Sequence, residues 1–281
     1  MGDGPPPSQP TSAPPVTVTD LAMTDRPGVP RLPDTTILLV EVGSTAHGTG
    51  IPGGEDHDEI GVVVEPPHLA LGLSPTGMPN TMQRNQPEGT RSGPGDTDRT
   101  LYSLRSFCRL AAAGNPSILM TFWSPVEYAT DLGTALQALG PAFVGRHIVD
   151  RYRGYMRGQA ERLLGTRGGG HGRRGGGRRP ELEAAHGFDT KYAMHAARLG
   201  FQCIELLKAR RLRLPIEGEP GDWLRAVRAG HVPFDEWWAR VLELDSQMVA
   251  LADDPGIQQG PDRERIEMFM VDAHRRTWGW A

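Results

Sequence analysis

The spacing of apolar residues changes partway along the chain and separates two kinds of predicted structure. Two short continuous apolar runs rich in β-branched residues, TTILLVEV (35–42) and EIGVVVEP (59–66), predict buried strands. A third short strand is predicted at TLY (100–102), before a helix that stops at GNP (114–116). Beyond this point apolar residues recur every three or four positions, which predicts amphipathic helices in GPAFVGRHIVDRYRGYMRGQAERLLG, KYAMHAARLGFQCIELLKARR, GDWLRAVRAG and FDEWWARVLELDSQMVALADD.

Polar and glycine-rich segments suggest the boundaries between these parts. Residues 1–34 are rich in proline, glycine, serine and threonine and predict a disordered leader. A long loop is predicted between Ala70 and Thr97, either mobile over a substrate or disordered. We expect a first domain at 35–130, a helical domain at 131–252 with a flexible glycine- and arginine-rich insertion at 166–180, and a C-terminal tail at 253–281.

Composition narrows the classes of partner. Lysine and arginine total 30 against 34 aspartate and glutamate, a formal net charge of −4, so nucleic-acid binding would need a local basic patch. The arginines of the 166–180 insertion are one such candidate, although an inserted loop explains them equally well. No segment approaches the about 18 apolar residues of a membrane span. Cys108 and Cys203 lie far apart in apolar segments, which favours free thiols and a cytoplasmic location.

The end of the first strand has the composition of a phosphate-binding turn. A strand that turns at Gly43 and Ser44 into a helix leaves backbone N–H groups and a hydroxyl where phosphate is stabilised. The spacing from Gly43 to Gly48 also resembles a GxxxxGK[ST] phosphate loop, but Thr49 stands where that loop requires lysine. His47 is a candidate contact to a triphosphate or base, or a packed side chain of the first helical turn.

The second strand begins with a D-x-D motif. Asp56 and Asp58 lie two residues apart, so their side chains are predicted to share a face, while Glu55 and Glu59 face away. Two carboxylates held this close resist joint ionisation unless a cation lies between them, and hard oxygen ligands suit Mg²⁺ or Mn²⁺. An acidic surface turn is the alternative for an isolated D-x-D.

The two motifs together describe metal-assisted chemistry on a nucleoside triphosphate. The stretch GSTAHGTGIPGGEDHDEIGV resembles the nucleotidyltransferases of the DNA polymerase beta superfamily, specifically the predicted type associated with RNA ligases. DRTLYSLRSFCRLAAAGNPSILMTFWSP and KYAMHAARLGFQCIELLKARRLRLPI resemble that family's third-strand and C-terminal helical regions, so the resemblance covers roughly residues 37–250. Glu55 departs from the family, whose members usually have serine there.

The resemblance implies an α/β fold, with a small nucleotidyltransferase-type mixed sheet and flanking helices followed by a C-terminal helical domain. It also implies three acids that hold Mg²⁺ or Mn²⁺: Asp56, Asp58 and one from a neighbouring strand, for which Asp98 is the candidate and Asp96 the competitor. The implied reaction moves a nucleoside monophosphate from an NTP to a hydroxyl and releases pyrophosphate. RNA, protein or a small molecule is the acceptor.

One predicted helix adds basic residues to this picture. Lys191, His195 and Arg198 fall at positions i, i+4 and i+7, so a helix presents them on one face as a wall for phosphates or for a nucleic acid. A solvated helix face has the same pattern. Two other functions stay open, a non-catalytic nucleotide-binding module on the same fold and a regulatory RNA-binding protein.

Overall fold

The computed structural model describes residues 26–50, 56–73, 77–86, 93, 95–164 and 179–280. The predicted leader up to residue 25, Glu55 and most of the 166–180 insertion lie outside the described residues. Within the described part, no helix is both long and apolar enough to cross a membrane. Cys108 and Cys203 are buried free thiols.

The described part of the chain contains one mixed sheet. Its strands are β1 (Thr36–Val42), β2 (His57–Val63), β3 (Thr81–Arg84), β4 (Thr97–Ser103) and β5 (Val126–Ala129). They lie in the order β3-β4-β2-β1-β5. β2 and β4 pair in parallel, and the other neighbours are antiparallel. The two strands predicted from continuous apolar runs are therefore the central pair β1 and β2.

The two faces of the sheet have different neighbours. Ile60 and Val62 belong to the large core shared with the helices, whereas Val63 belongs to a small cluster on the opposite face. Side chains alternate along β2, so Asp58 shares the helix-facing side with Ile60 and Glu59 shares the opposite side with Val63. The predicted separation of these two acids is confirmed.

Helices cover one face of the sheet and form the second half of the chain. They are α1 (Gly43–His47), α2 (Pro67–Ala70), α3 (Leu104–Ala112), α4 (Pro116–Leu119), α5 (Asp131–Ala138), α6 (Ile148–Leu164), α7 (Pro180–His186), α8 (Thr190–Ala209), α9 (Gly218–Arg228), α10 (Phe234–Ala252) and α11 (Arg263–Trp278). The predicted helical segments of the second half are confirmed in α6, α8, α9 and α10. One continuous apolar core runs from the sheet into these helices, and its residues include Leu38, Leu206 and Trp237. The sheet and the helices therefore share a single core.

Three segments differ from the expectation of disorder or loop. Residues 26–34 of the expected leader lie against the sheet, where Leu32 is buried. The expected loop between Ala70 and Thr97 contains β3, an exposed edge strand held by backbone pairing to β4 rather than by burial. The expected C-terminal tail contains α11, whose Trp278 donates its indole N–H to the Glu65 carbonyl at 2.9 Å.

A buried ion pair joins the parallel strands on the face opposite the helices. Glu59 and Arg99 are register partners of β2 and β4, and Arg99 Nε lies 2.6 Å from Glu59 Oε2. Both side chains are at most 1% exposed. Glu59 also accepts hydrogen bonds from His57 at 2.9 Å and Arg26 at 3.1 Å. Burial acts to raise the pKa of Glu59, but these hydrogen bonds and the Arg99 charge outweigh it and lower the pKa to about 2.

This ion pair fixes which residues of β2 and β4 stand side by side. The same register that joins Glu59 to Arg99 sets Asp58 beside Asp98, one position earlier on each strand. A shift by one residue would turn each acid to the other face of the sheet. The pair thereby helps determine where the two aspartates lie.

We predict that E59Q lowers the free energy of unfolding by about 3 kcal/mol, because it leaves the buried Arg99 charge without its carboxylate. Urea denaturation at neutral pH measures this change. The exposed pair Arg240–Glu243 supplies the control, and E243Q is expected to change stability by no more than about 0.5 kcal/mol. Equal effects of the two substitutions would contradict a structural role for the buried pair.

Candidate functional site

Three carboxylates converge where β2 and β4 begin. Asp56, Asp58 and Asp98 each offer one oxygen, and these oxygens lie within 4.8 Å of one another. The three residues are partly exposed, so solvent and ions reach them. Asp96, the competing third acid, accepts a hydrogen bond from the Gly93 backbone N–H at 2.9 Å instead. The structure therefore brings Asp98 to the D-x-D motif.

The repulsion within this cluster appears in the pKa of Asp58. Burial and the neighbouring charges of Asp56 and Asp98 raise its pKa to about 6. Lys191 and His57 oppose the shift without cancelling it. A divalent cation among the carboxylates would remove the repulsion, and three oxygen ligands match the preference of Mg²⁺ or Mn²⁺. The residues present therefore fit a divalent metal ion.

Asp98 has protein partners on its outer side. Arg84 Nε, from the neighbouring edge strand β3, lies 2.9 Å from Asp98 Oδ1. Gln86 Nε2 donates to the same oxygen at 2.9 Å. The strand that sequence patterning missed thus supplies a cation to the third acid. A run of four residues on an exposed edge gives too short a pattern for a strand prediction.

Gly43 lets the first strand turn directly beside Asp58. It begins α1 with a φ of +78°, a conformation that side chains with a Cβ rarely adopt. A Cβ at this position would also collide with the Asp58 carboxylate. Ser44 follows in the same turn and is partly exposed. The predicted phosphate-binding residues therefore adjoin the acid cluster.

A polar stripe on α8 faces α1 and the acids. Lys191, His195, Arg198 and Gln202 follow one another at helical spacing on an otherwise largely apolar helix. Burial and the Arg179 and Arg228 charges lower the pKa of Lys191, whereas Asp56 and Asp58 act to raise it. Lys191 is thus the cation of α8 that acts electrostatically on the D-x-D acids.

The two histidines of the site are uncharged at neutral pH. Burial and the Arg198 charge hold the pKa of both His47 and His195 well below the usual range. His195 is therefore not a cation of the predicted basic wall. Gln202 Nε2 lies 3.3 Å from His47 Nδ1, and Arg198 Nη2 lies 3.2 Å from His195 Nδ1. A guanidinium nitrogen only donates, so neutral His195 carries its proton on Nε2, whereas the Gln202 amide can present its nitrogen or its oxygen to His47.

Two buried nitrogens beside the middle of α8 are unsatisfied. His47 Nε2 and Arg198 Nε find no hydrogen-bond partner among the described residues. Burial lowers the pKa of Arg198 to about 10, so the side chain remains a cation at neutral pH. Unpaired buried donors are costly, and an oxygen-rich ligand or ordered water satisfies them. The part of the site around Arg198 therefore suits a ligand that accepts hydrogen bonds.

Sequence reasoning named most residues of the stripe but missed one. Gln202 stands four positions after Arg198 and would have extended the i, i+4, i+7 pattern to i+11. The spacing therefore placed Gln202 on the same helix face, but an uncharged amide does not indicate a phosphate-binding surface. Arg84 and Arg228 gave no such signal, because they reach the site from elements distant in sequence. Arg179 was a candidate only as one of the arginines of the 166–180 insertion.

Comparison with known proteins identifies a family for this chain. Residues 24–221 match RlaP, described as the RNA repair pathway DNA polymerase beta family. No curated protein matches the chain. Among solved structures, a nucleotidyltransferase-like protein from Exiguobacterium sibiricum 255-15 matches at 9% sequence identity and a TM-score of 0.27, covering 78% of this chain and 69% of that one. That likeness is too distant to support an argument about the site.

The family match spans more than half of the chain. It includes the carboxylate cluster, the Gly43–Ser44 turn and the whole of α8. The chain therefore belongs to the RNA repair pathway DNA polymerase beta family, within the nucleotidyltransferases of the DNA polymerase beta superfamily.

Proposed function

We propose that the protein is a metal-dependent nucleotidyltransferase that moves a nucleoside monophosphate from an NTP to a hydroxyl acceptor and releases pyrophosphate. The observation that carries the proposal is the convergence of three carboxylates, with Asp58 at a raised pKa, beside the Gly43–Ser44 turn and Lys191. Family membership supports it.

The acids are assigned to metal binding. Asp56, Asp58 and Asp98 would hold Mg²⁺ or Mn²⁺. The positive charge of the ion would stabilise negative charge on the attacking oxygen and on the leaving pyrophosphate. Asp58 must be ionised to bind a cation, and burial together with the charges of Asp56 and Asp98 opposes that ionisation in the metal-free site. Arg84 would have to share or release Asp98 when that acid binds a cation, because both use the same carboxylate.

The turn and the polar stripe are assigned to the triphosphate. Gly43 allows close approach of the backbone, and Ser44 adds a hydroxyl donor beside the acids. Lys191 and Arg198 supply cations, and the neutral rings of His47 and His195 supply further hydrogen-bonding nitrogens. His47 contributes from its buried position at the end of α1 rather than from an exposed surface.

The reaction follows from these positions. The acceptor oxygen attacks the α-phosphorus, the bond from that phosphorus to the pyrophosphate oxygen breaks, and the hydroxyl proton passes to water in the cleft. The residues of the chain hold and orient the reactants, which is the main protein contribution to such transfers. RNA is the acceptor that the family description favours, and protein or a small molecule is the alternative. The proposed location is the cytoplasm.

One observation favours a second candidate function. The Arg84–Asp98 ion pair already supplies a cation to the third acid, as expected if the fold binds nucleotides without turning them over. Nucleotide binding without pyrophosphate release would indicate this non-catalytic module. A regulatory RNA-binding role would depend on the 166–180 insertion, and most of that segment lies outside the described residues.

We predict that D58N stabilises the metal-free protein by about 1–2 kcal/mol at pH 7.5, because it removes a buried charge repelled by two others. The folded pKa of Asp58, about 6, lies above its ordinary value of 3.8. The penalty is therefore complete above pH 6 and disappears as the pH falls toward 3.8. Thermal unfolding in a chelator, at pH 7.5 and at pH 5, measures the difference, which should shrink at the lower pH.

The same unfolding experiment with added Mn²⁺ tests metal binding. Wild-type protein should gain stability as Mn²⁺ increases, because the ion binds only the folded state, and D58N should gain little. Equal Mn²⁺ responses of the two proteins would contradict the assignment of Asp58 as a ligand.

We predict that D56N, D58N and D98N each lower divalent-dependent pyrophosphate release by at least about a hundredfold, because each removes a metal ligand. The assay incubates purified protein with each α-labelled NTP, Mg²⁺ or Mn²⁺, and a pool of cellular RNA and protein, so that the labelled product identifies the donor and the acceptor.

D96N is the matched control for this assay. It makes the same chemical change two residues before Asp98, at a side chain that bonds Gly93 instead of joining the cluster. Its activity should stay within about threefold of wild type, as expected for a residue outside the acid cluster. Loss in D96N with retention in D98N would reverse the assignment of the third acid.

A further inference from the structure

We propose that Arg179, Lys191 and Arg228 form a second phosphate subsite at the first turn of α8, separate from the Gly43–Ser44 turn. The inference rests on the proposed function and deepens it, because it assigns Arg228, which no motif identified, and gives a role to Arg179, which the sequence offered only as one arginine of the 166–180 insertion. The ligand is a phosphate group of the substrates, from either the triphosphate tail of the donor or the backbone of a polynucleotide acceptor.

Three different elements bring these cations together. Arg179 precedes α7 and reaches α8, where its Nη1 lies 3.2 Å from Asp189 Oδ2 and its Cζ lies 5.2 Å from the centre of the Tyr192 ring. Arg228 ends α9 and places Nη1 3.4 Å from Thr190 Oγ1. Lys191 stands between these contacts on α8 itself. Arg179 and Arg228 thus both contact the segment 189–192, which carries Lys191.

The cations act on one another as like charges. Burial and the Arg179 charge lower the pKa of both Lys191 and Arg228. His195, one turn further along α8, has its pKa lowered by burial, by Arg198 and then by all three cations of the group. Such repulsion destabilises the folded protein, and a bound anion relieves it.

Three acids act on these three cations, and one of them, Asp189, is the ion-pair partner of Arg179 through its Oδ2. Asp189 is fully buried and its Oδ1 caps α8 by accepting from the Lys191 and Tyr192 backbone N–H groups at 3.0 and 3.2 Å. Asp56 and Asp58 act on Lys191, but the proposed metal ions would neutralise them. A metal-loaded site therefore gives this group an excess of positive charge.

Side chains rather than the helix end would hold the phosphate. The first N–H groups of α8 are occupied by Asp189, so they are not available to a ligand. All three cationic side chains keep partial exposure, and that of Arg179 is 18% exposed. Guanidinium groups bind phosphate through paired N–H donors, which suits Arg179 and Arg228.

The experiment measures binding of three probes to the full chain in Mg²⁺. The probes are inorganic tripolyphosphate, α,β-methylene ATP, and a fluorescein-labelled single-stranded RNA of 20 nucleotides with a 5′-hydroxyl. R228Q is the principal variant, because Arg228 contacts the Thr190 hydroxyl and its loss leaves no buried carboxylate unpaired, whereas loss of Arg179 would leave Asp189 without its partner. R179Q/R228Q is a second variant, and R228K restores the charge.

We expect R228Q to weaken binding of at least one probe by about tenfold, as for the loss of one charge-assisted contact, and R228K to recover most of the affinity. R276Q removes an arginine of the exposed pair with Asp272 on α11 and should change no affinity by more than about twofold. Thermal unfolding confirms that each variant is folded.

The probes distinguish the two phosphate sources. Weaker binding of tripolyphosphate and the ATP analogue alone assigns the subsite to the donor. Weaker binding of RNA alone, with the slope of log affinity against log salt reduced by about 0.7, assigns it to the acceptor strand. Weaker binding of all three assigns a shared subsite.

Two results overturn the proposal. One is that R228Q and R179Q/R228Q bind every probe as tightly as R276Q does, and the other is that wild-type protein binds none of the probes. Neither depends on turnover. Failure of the proposed function would instead appear as pyrophosphate release that survives substitution of the three aspartates, so the two failures are distinguishable.

Discussion

Like-charge repulsion among three carboxylates is the constraint on which the rest of the structure depends. Asp56, Asp58 and Asp98 are held with oxygens within 4.8 Å, and burial adds to the cost of ionising Asp58. Such a cluster persists only if the backbone beneath it is fixed. The parallel pairing of β2 with β4 and the buried Glu59–Arg99 pair on the other face of the sheet provide that support.

One side of the site is negatively charged and the other is positively charged. The starts of β2 and β4 carry the acids, and α8 faces them with Lys191 and Arg198. His47 and His195 stay neutral, because burial and neighbouring cations disfavour a further positive charge. A metal–polyphosphate complex carries both kinds of partner, cations for the acids and anionic oxygens for α8. The arrangement is therefore complementary to the substrates of nucleotidyl transfer.

Local periodicity was enough to predict the acid pair and the amphipathic helices. Asp56 and Asp58 follow from strand alternation, and α6, α8, α9 and α10 follow from their apolar spacing. Asp98 was predicted from the resemblance to the nucleotidyltransferase family and not from the spacing of apolar residues. The edge strand β3 and the helix α11 were missed, since backbone pairing stabilises the first and distant contacts such as Trp278 with Glu65 hold the second. The Glu59–Arg99 pair joins residues 40 positions apart, and no local window contains both.

The position of a bound divalent ion tests the central claim most directly. A crystal of the protein grown with Mn²⁺ and α,β-methylene ATP, measured at a wavelength where manganese scatters anomalously, locates the ion without reference to activity. We predict an anomalous peak about 2.1 Å from carboxylate oxygens of Asp56 and Asp58, with Asp98 as a further ligand of the cluster. Nucleotide density without an anomalous peak at these acids, at saturating Mn²⁺, would contradict it.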